Sequence, residues 1–524
     1  MHRIATTGLL GLAALSGLAM ADAQGAKPRL VVGIVVDQLR TDYVEQLQNL
    51  FGEKGFKQLM RNGLYLRDVD FKASGLDSSS GTAIAVTGSW PSYTGVPEAM
   101  VYDSEIHAMR PPLAKPGSTG AISNDSFTPE ALRLSTIADE LAIASDGKAT
   151  IYSVAADPQQ AVILAGHTAD NAIWLNNTSG YWATSNYYGP LNTAAQRVNS
   201  RNAVIHRVDT MLWRPLAETA RLKGNLAKGR LFDYKFSRGD RDVYRKIALT
   251  PGGNQAVTDM AIELINSLAS DPSGQGMVNV AYTVAPYKYS LGDGEAESTD
   301  AYLRLDAQIG RLIDAVDKYC GKENAVIWLT STGYYDAVAT EDKRFRIPGG
   351  EFSLRRAKSL LNSYLVARHG NGEYISSLRN GNLYLDHKSL EARNLDPISI
   401  ANDARQFLAQ MSGVEQTFTR SEILSPTTPE TDALNVGYDP KYGPDVLIRL
   451  SPGWSIVEDE TGATQRNKPM RQMPVMTPAF IMAPEVVANK VSTTVDATAL
   501  APTITDILRI RSPNGARAHA LPIR

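Results

Sequence analysis

Apolar and polar positions fall along the chain in blocks of two kinds. Arg29 to Val36, RLVVGIVV, is an unbroken run rich in β-branched residues that ends at Asp37. A run with no polar face predicts a strand covered on both sides, as in a parallel sheet, with the Asp37 carboxylate at its C-terminal end. Over residues 43 to 63, Val44, Leu47, Leu50, Phe51, Phe56 and Leu59 recur at helical spacing with glycines as punctuation, and residues 64 to 71, LYLRDVDF, alternate like a strand. A second β-α-β unit follows, with 277 to 285 as strand, 301 to 320 as amphipathic helix and 325 to 332 as another buried strand. Near the end, DVLIRLS, PAFIMAP and TALAPTITDILRI read as two strands and a helix. This succession predicts an α/β fold with a doubly wound, mostly parallel sheet sandwiched by helices. Two stretches, about 176–250 and about 367–440, lose periodicity and gain Gly, Asn and Pro. They read as cap insertions, placed where such folds carry substrate-facing loops.

The first 23 residues change the picture of where the protein works. A basic start (His2, Arg3), an apolar stretch from Ile4 to Met20 and the small-x-small step Ala21-Asp22-Ala23 predict a signal peptide over 1–23, leaving one domain over 24–524. The protein is then exported: periplasmic, cell-surface-associated or extracellular, with no transmembrane segment. Across the 524 residues, 53 Lys and Arg stand against 55 Asp and Glu, so no global field draws the chain to nucleic acid or anionic membrane. One local exception is Arg221 to Lys246, with nine basic residues against three Asp, interleaved with Phe232, Tyr234, Phe236 and Tyr244. Alone it mimics a nucleic-acid surface; without a wider basic excess it reads as a cap segment whose aromatics pack beneath it. The single Cys320 permits no internal disulfide and reads as a buried thiol.

The blocks LVVGIVVDQLRTDYVEQL, VTGSWPSYTGV (86 to 96), ILAGHTADNAIWL (163 to 175), ALTPGGNQAVTDMAIELI (248 to 265), RIPGGEFS (346 to 353) and LAPTITDILRI (500 to 510) resemble, in order, those of bacterial secreted alkaline phosphatases that use a threonine nucleophile. These belong to the alkaline phosphatase superfamily, beside the nucleotide pyrophosphatase/phosphodiesterases. The resemblance implies phosphate-ester hydrolysis with two zinc ions held by six side chains: an Asp after the first strand, an Asp and His four residues apart, an adjacent Asp-His pair, and a His near the C-terminus. Carried over one by one, only Asp37 survives. The nucleophile position falls on Ser78, in Ser78-Ser79-Ser80-Gly81-Thr82. The Asp-x-x-x-His slots hold Pro286 and Ser290, the Asp-His pair is Thr332-Gly333, and the late histidine maps to about Met476. The phosphoryl-contacting asparagine maps to about Ala99, and a Lys-x-Arg pair to about Asp157 and Gln159. Among seven histidines, none lies in the 162 residues between His206 and His369, a gap that spans both strand ends that should each supply one.

The residues also have plainer roles. Asp37 reads as a strand-end carboxylate capping the next segment, and Ser78 to Ser80 as N-caps for the helix beginning GTAIAV, a position that also makes a weak anion site. His167 reads as structural, Tyr334 and Tyr335 as fillers of the old pocket, and Asp336 and Asp293 as the only nearby acids for an altered, magnesium- or calcium-like site. The expectation is a catalytically inactive alkaline phosphatase-like protein with no cofactor, binding an envelope protein complex, glycan or peptide and no nucleic acid. The alternative is a metal-dependent phosphoesterase or sulfatase-like hydrolase rebuilt around Asp37 and Ser78.

Overall fold

A ten-stranded sheet runs through the protein, and its centre is built from segments hundreds of residues apart. The computed structural model describes residues 27–115, 119–122, 126–222, 231–270, 274–290, 294–336, 349–457 and 475–523; the expected signal peptide, Asp293 and part of the basic stretch (223–230) lie outside them. In chain order the strands of the large sheet are β1 (Leu30–Asp37), β2 (Leu64–Leu66), β3 (Gly120–Ala121), β4 (Thr150–Ala155), β5 (Asn171–Leu175), β6 (Trp182–Ser185), β7 (Gly276–Thr283) and β8 (Ala325–Ser331). Four strands of a second sheet come next: β9 (Ile375–Arg379), β10 (Asn382–Leu385), β11 (Val414–Thr419) and β12 (Val446–Leu450). The large sheet then receives β13 (Ala479–Met482) and β14 (Asn489–Val491), giving the order β14-β2-β13-β8-β1-β7-β4-β5-β6-β3. Strands β8, β1, β7, β4 and β5 are parallel; β13 runs antiparallel between β8 and β2, and β6 antiparallel to β5.

Period-two alternation sends the side chains of β1 to two different cores. Val32, Ile34 and Val36 pack with Val278, Val280, Ile327 and Leu329 on one face, while Val31 and Val35 pack with Met277, Ala281 and Val326 on the other. Such double coverage is why the strand reads as an unbroken apolar run. Helices α1 (Ser78–Thr87), α2 (Pro158–Ala165) and, late in the chain, Leu500–Ile507 cover the second face; α3 (Pro251–Ser267) and α4 (Glu295–Cys320) cover the first. Gly33 is required by close packing: a Cβ there would lie 2.4 Å from Asn279 Oδ1 and 2.5 Å from the Trp328 ring.

The helix expected over 43 to 63 is split into Thr41–Gln46, a 3-10 turn and Phe56–Asn62. The cause is Asp306 of α4, whose carboxylate accepts from the backbone N–H of Gly52 and Phe56, both at 2.7 Å, and holds the chain open between them. The described residues of 176–250 build no core of their own. Trp182, Ala195, Trp213, Phe232, Phe236 and Tyr244 all join the core under α3 and α4, and the aromatics of the basic stretch therefore point inward.

Residues 350–457 do form a separate core. Leu361 of the helix Leu354–His369, Leu408 of the helix Pro397–Leu408, and Leu383 and Ile448 of the second sheet (order β9-β10-β12-β11) pack together. DVLIRLS thus supplies a strand of this cap rather than of the large sheet. The cap also begins before 367 and ends after 440, because its flanking helix and strands are as periodic as those of the sheet.

Candidate functional site

The C-terminal ends of β1, β7 and β8 converge, as open α/β sheets bring their loops together. At the end of β1, Asp37 is buried, and Gln38 takes a left-handed backbone conformation (φ 61°) that turns the chain off the sheet. Thr332, just past β8, donates its hydroxyl to Asp37 Oδ1 at 3.0 Å and accepts the backbone N–H of Gln38 at 3.0 Å. Thr283 at the end of β7 donates to Asp37 Oδ2 at 3.4 Å. Burial pushes the Asp37 carboxyl up to about 7; hydrogen bonds from Tyr334 and Thr332 oppose the rise, and the charges of Asp336 and Asp77 add to it. The Gln38 amide donates to the Tyr334 hydroxyl at 3.3 Å and to Asp336 Oδ2 at 3.2 Å, and accepts the backbone N–H of Asp336 at 2.9 Å. Tyr334 is 4% exposed, and burial holds its phenol well above the usual range. The Arg40 guanidinium lies 4.3 Å from the Tyr335 ring centroid.

Ser78 to Ser80 form the first turn of α1, but they are not its cap. The cap is Asp77, whose Oδ1 accepts the backbone N–H of Ser79 (3.1 Å) and Ser80 (3.0 Å), while the Ser80 hydroxyl accepts the N–H of Asp77 at 2.9 Å. Its second oxygen accepts the backbone N–H of Ala99 at 2.6 Å, and Gln159 donates its side-chain amide to the Ala99 carbonyl at 2.8 Å. Asp157, half-buried and with its pKa raised by desolvation, caps α2 by accepting from the N–H of Gln160 at 3.0 Å. Gln160 reaches back to the Thr82 hydroxyl at 3.1 Å, tying α2 to α1. Helix α1 also sits directly on the end of β8: a Cβ on Gly81 would lie 2.1 Å from the Thr332 carbonyl oxygen.

Asp37, Ser78, Ala99, Asp157, Gln159, Thr332 and Gly333 thus gather at one end of the sheet. Gly333 has φ 82°, and a Cβ would fall 2.1 Å from the Phe71 ring, so the position after Thr332 admits glycine alone. Ser290 turns away and donates to Glu297 Oε1 of α4 at 2.8 Å, taking the loop that begins at Pro286 with it. Met476 is 40% exposed; its carbonyl accepts from the N–H of Thr41 at 2.9 Å and its sulfur faces Arg67. His167 uses both ring nitrogens in structure, Nδ1 with Asp139 at 3.0 Å and Nε2 with the Leu132 carbonyl at 2.9 Å. Sequence reasoning missed Asp77, Gln38 and Thr283. A signal for Asp77 was present: an aspartate before a helical run, three residues ahead of a small hydroxyl residue.

Zinc takes Cys, His and carboxylate donors. Around Asp37 stand instead the hydroxyls of Thr332 and Thr283 and the Tyr334 phenol, with the Asp336 carboxylate held by the Gln38 amide, and both Asp77 oxygens accept backbone N–H groups. Among the described residues no group of three or more His, Cys, Asp and Glu is placed to hold a metal ion. This donor set does not fit a dinuclear zinc centre.

The type I phosphodiesterase / nucleotide pyrophosphatase family model matches residues 31–473. A protein of Myroides odoratus named calcium-transporting ATPase is 25% identical over 526 residues, covering 93% of each chain. Alkaline phosphatase PafA of Elizabethkingia meningoseptica is 26% identical over 549 residues, 97% of each. The crystal structure of wild-type PafA shares the fold, with a TM-score of 0.82 at 23% identity over 95% of this chain and 98% of that one.

Proposed function

Since the chain belongs to the type I phosphodiesterase / nucleotide pyrophosphatase family, within the alkaline phosphatase superfamily, we propose that it is a non-hydrolysing member: an exported protein that binds a partner or ligand of the bacterial envelope. The observation that carries this reading is the hydrogen bond from Thr332 to Asp37. It puts a neutral hydroxyl against the retained carboxylate, at a position where the family resemblance calls for a metal-binding side chain. The buried Tyr334 and the Gln38 amide occupy the neighbouring space. Ala99 and Asp157, at the positions that would contact a phosphoryl group, offer it no side-chain donor, and an aspartate repels it. Export rests on the composition of the first 23 residues; among the described residues no helix is long and apolar enough to cross a membrane.

The relatives named above include an alkaline phosphatase, so the reading is tested by activity and metal content together. Purified protein, incubated with zinc and dialysed, is expected to hold less than one equivalent by elemental analysis and to leave an aryl phosphate unhydrolysed. Two equivalents of zinc, with turnover abolished by Ser78→Ala, would establish the hydrolase rebuilt around Asp37 and Ser78 instead. Ser78 is half-buried on the first turn of α1, which leaves its side chain within reach of solvent for that chemistry.

A further inference from the structure

The basic stretch Arg221 to Lys246 is only partly matched by acids in the fold. Arg238 faces Asp209 at 3.8 Å and Arg241 faces Asp242 at 3.6 Å. Arg245 and Lys246, on the helix Val243–Ala248, pair with no carboxylate among the described residues. They approach instead the loop after β7, which begins at Pro286 and holds Lys288 and Tyr289.

Tyr289 is where the two segments meet. Lys246 Nζ lies over its ring at 5.6 Å from the centroid, and Lys288 Nζ at 5.5 Å. The charge of Arg245 is felt at Lys288 as well: partial burial first, and that like charge second, hold the Lys288 ammonium below its usual range. Acids close by in sequence are turned elsewhere, Asp242 to Arg241 and Glu297 to the hydroxyls of Tyr234 and Ser290. The platform beneath the cations is fixed, because Tyr289 packs edge-on against Tyr287 at 5.6 Å and Tyr287 edge-on against the buried Trp213 at 5.1 Å. Lys288 and Arg245 are exposed and Lys246 is half-buried, so the charged ends are open to a ligand. Like charges gathered at one place repel, and an exposed cation–π contact offsets little of that repulsion. An anion set among them would relieve it. Two ammonium groups and a guanidinium also carry more donors than one carboxylate can accept, and they suit the oxygens of a phosphate.

We propose that Arg245, Lys246 and Lys288 form a binding site for the phosphate group of a soluble ligand, free or esterified on a sugar, which the protein holds without hydrolysing. The inference rests on the binding role proposed above and names a ligand class for it, using none of the residues around Asp37. Phosphate binding here is read without reference to metal or turnover, so its failure would leave the loss of hydrolysis standing.

The experiment is a ligand-observed NMR titration of the full chain with inorganic phosphate, glucose 1-phosphate and acetate at one low ionic strength. Both phosphates are expected to bind about tenfold more tightly than acetate, and the tighter of the two shows whether the group is taken free or on a sugar. Lys288→Gln and Arg245→Gln are each expected to weaken phosphate binding about fivefold, with thermal unfolding confirming that both variants are folded. Lys148→Gln removes an exposed charge before β4, at the opposite end of the parallel strands, and should leave binding unchanged. Ser78→Ala should also leave it unchanged, since the first turn of α1 is a separate place for an anion. Affinity for acetate equal to that for phosphate, the same loss with Lys148→Gln, loss with Ser78→Ala but not with Lys288→Gln and Arg245→Gln, or no phosphate binding at millimolar concentration would each overturn the proposal.

Discussion

A carboxylate that ionises only near neutrality is a liability in a buried position unless something compensates it, and Asp37 carries that cost in its titration. Its pKa in the fold is about 7 against an ordinary 3.8, so between those values the folded chain binds more protons than the unfolded one. Stability contributed at this site therefore falls as pH rises from about 4 to 7 and levels off above. Asp37→Asn keeps the acceptor for Thr332 and removes the charge. It is expected to stabilise the protein at pH 8 by up to about 4 kcal/mol, at about 1.4 kcal/mol per pKa unit, read as a higher urea midpoint, and to have little effect near pH 4. If Asp37 instead held a bound cation, the same change would destabilise the protein at pH 8, so paired urea titrations decide between the two. At this scale the sequence was informative where identity alone mattered: Asp37 at a strand end, and no histidine between His206 and His369. It was silent where a role depends on a partner far along the chain. Thr332 looks like an ordinary strand-end threonine until the fold sets it beside a carboxylate 295 positions earlier.

Helix α1 shows how one element is anchored at several points around the site. Asp77 caps it and ties it to Ala99, so Asp77→Ala removes a cap and strands the half-buried backbone N–H of Ala99. A loss of about 2–3 kcal/mol is expected, from about 1 for the cap and 1–2 for the unpaired donor; the denaturation midpoint checks it, and Asp77→Asn should restore part. Gly81→Ala tests the contact with β8. At 2.1 Å from the Thr332 carbonyl the added methyl forces the helix and strand end apart, although alanine is otherwise the better helix former. Destabilisation of about 2 kcal/mol or more, with faster amide exchange at Thr332 and Gly333, is the expected result; a neutral or stabilising effect would show that the contact is loose. The serine run was visible in the sequence and its helix with it, but the cap was assigned to the serines instead of the aspartate before them. The split between Thr41–Gln46 and Phe56–Asn62 was less accessible, since it depends on Asp306 reaching in from α4.

For the whole molecule, the doubly wound sheet was legible because its central strands are covered on both faces and show as apolar runs. The limits of the cap were not, because a second sheet with its own helices has the same periodicities as the first, and only pairing separates them. The C-terminal region completes the large sheet: β13 joins β8 to β2, and β14 pairs with β2. Deleting residues 475–524 would bare the edges of β8 and β2 and uncover α1, which packs against the helix Leu500–Ile507. Such a chain is expected to be found in the insoluble fraction while the full chain is soluble; comparable solubility would show that the sheet closes without it. The pairing of β1 also bears on the order of assembly during synthesis. Its only sheet neighbours, β7 and β8, begin at residues 276 and 325, so more than half the polypeptide leaves the ribosome before the first strand can be joined on either side.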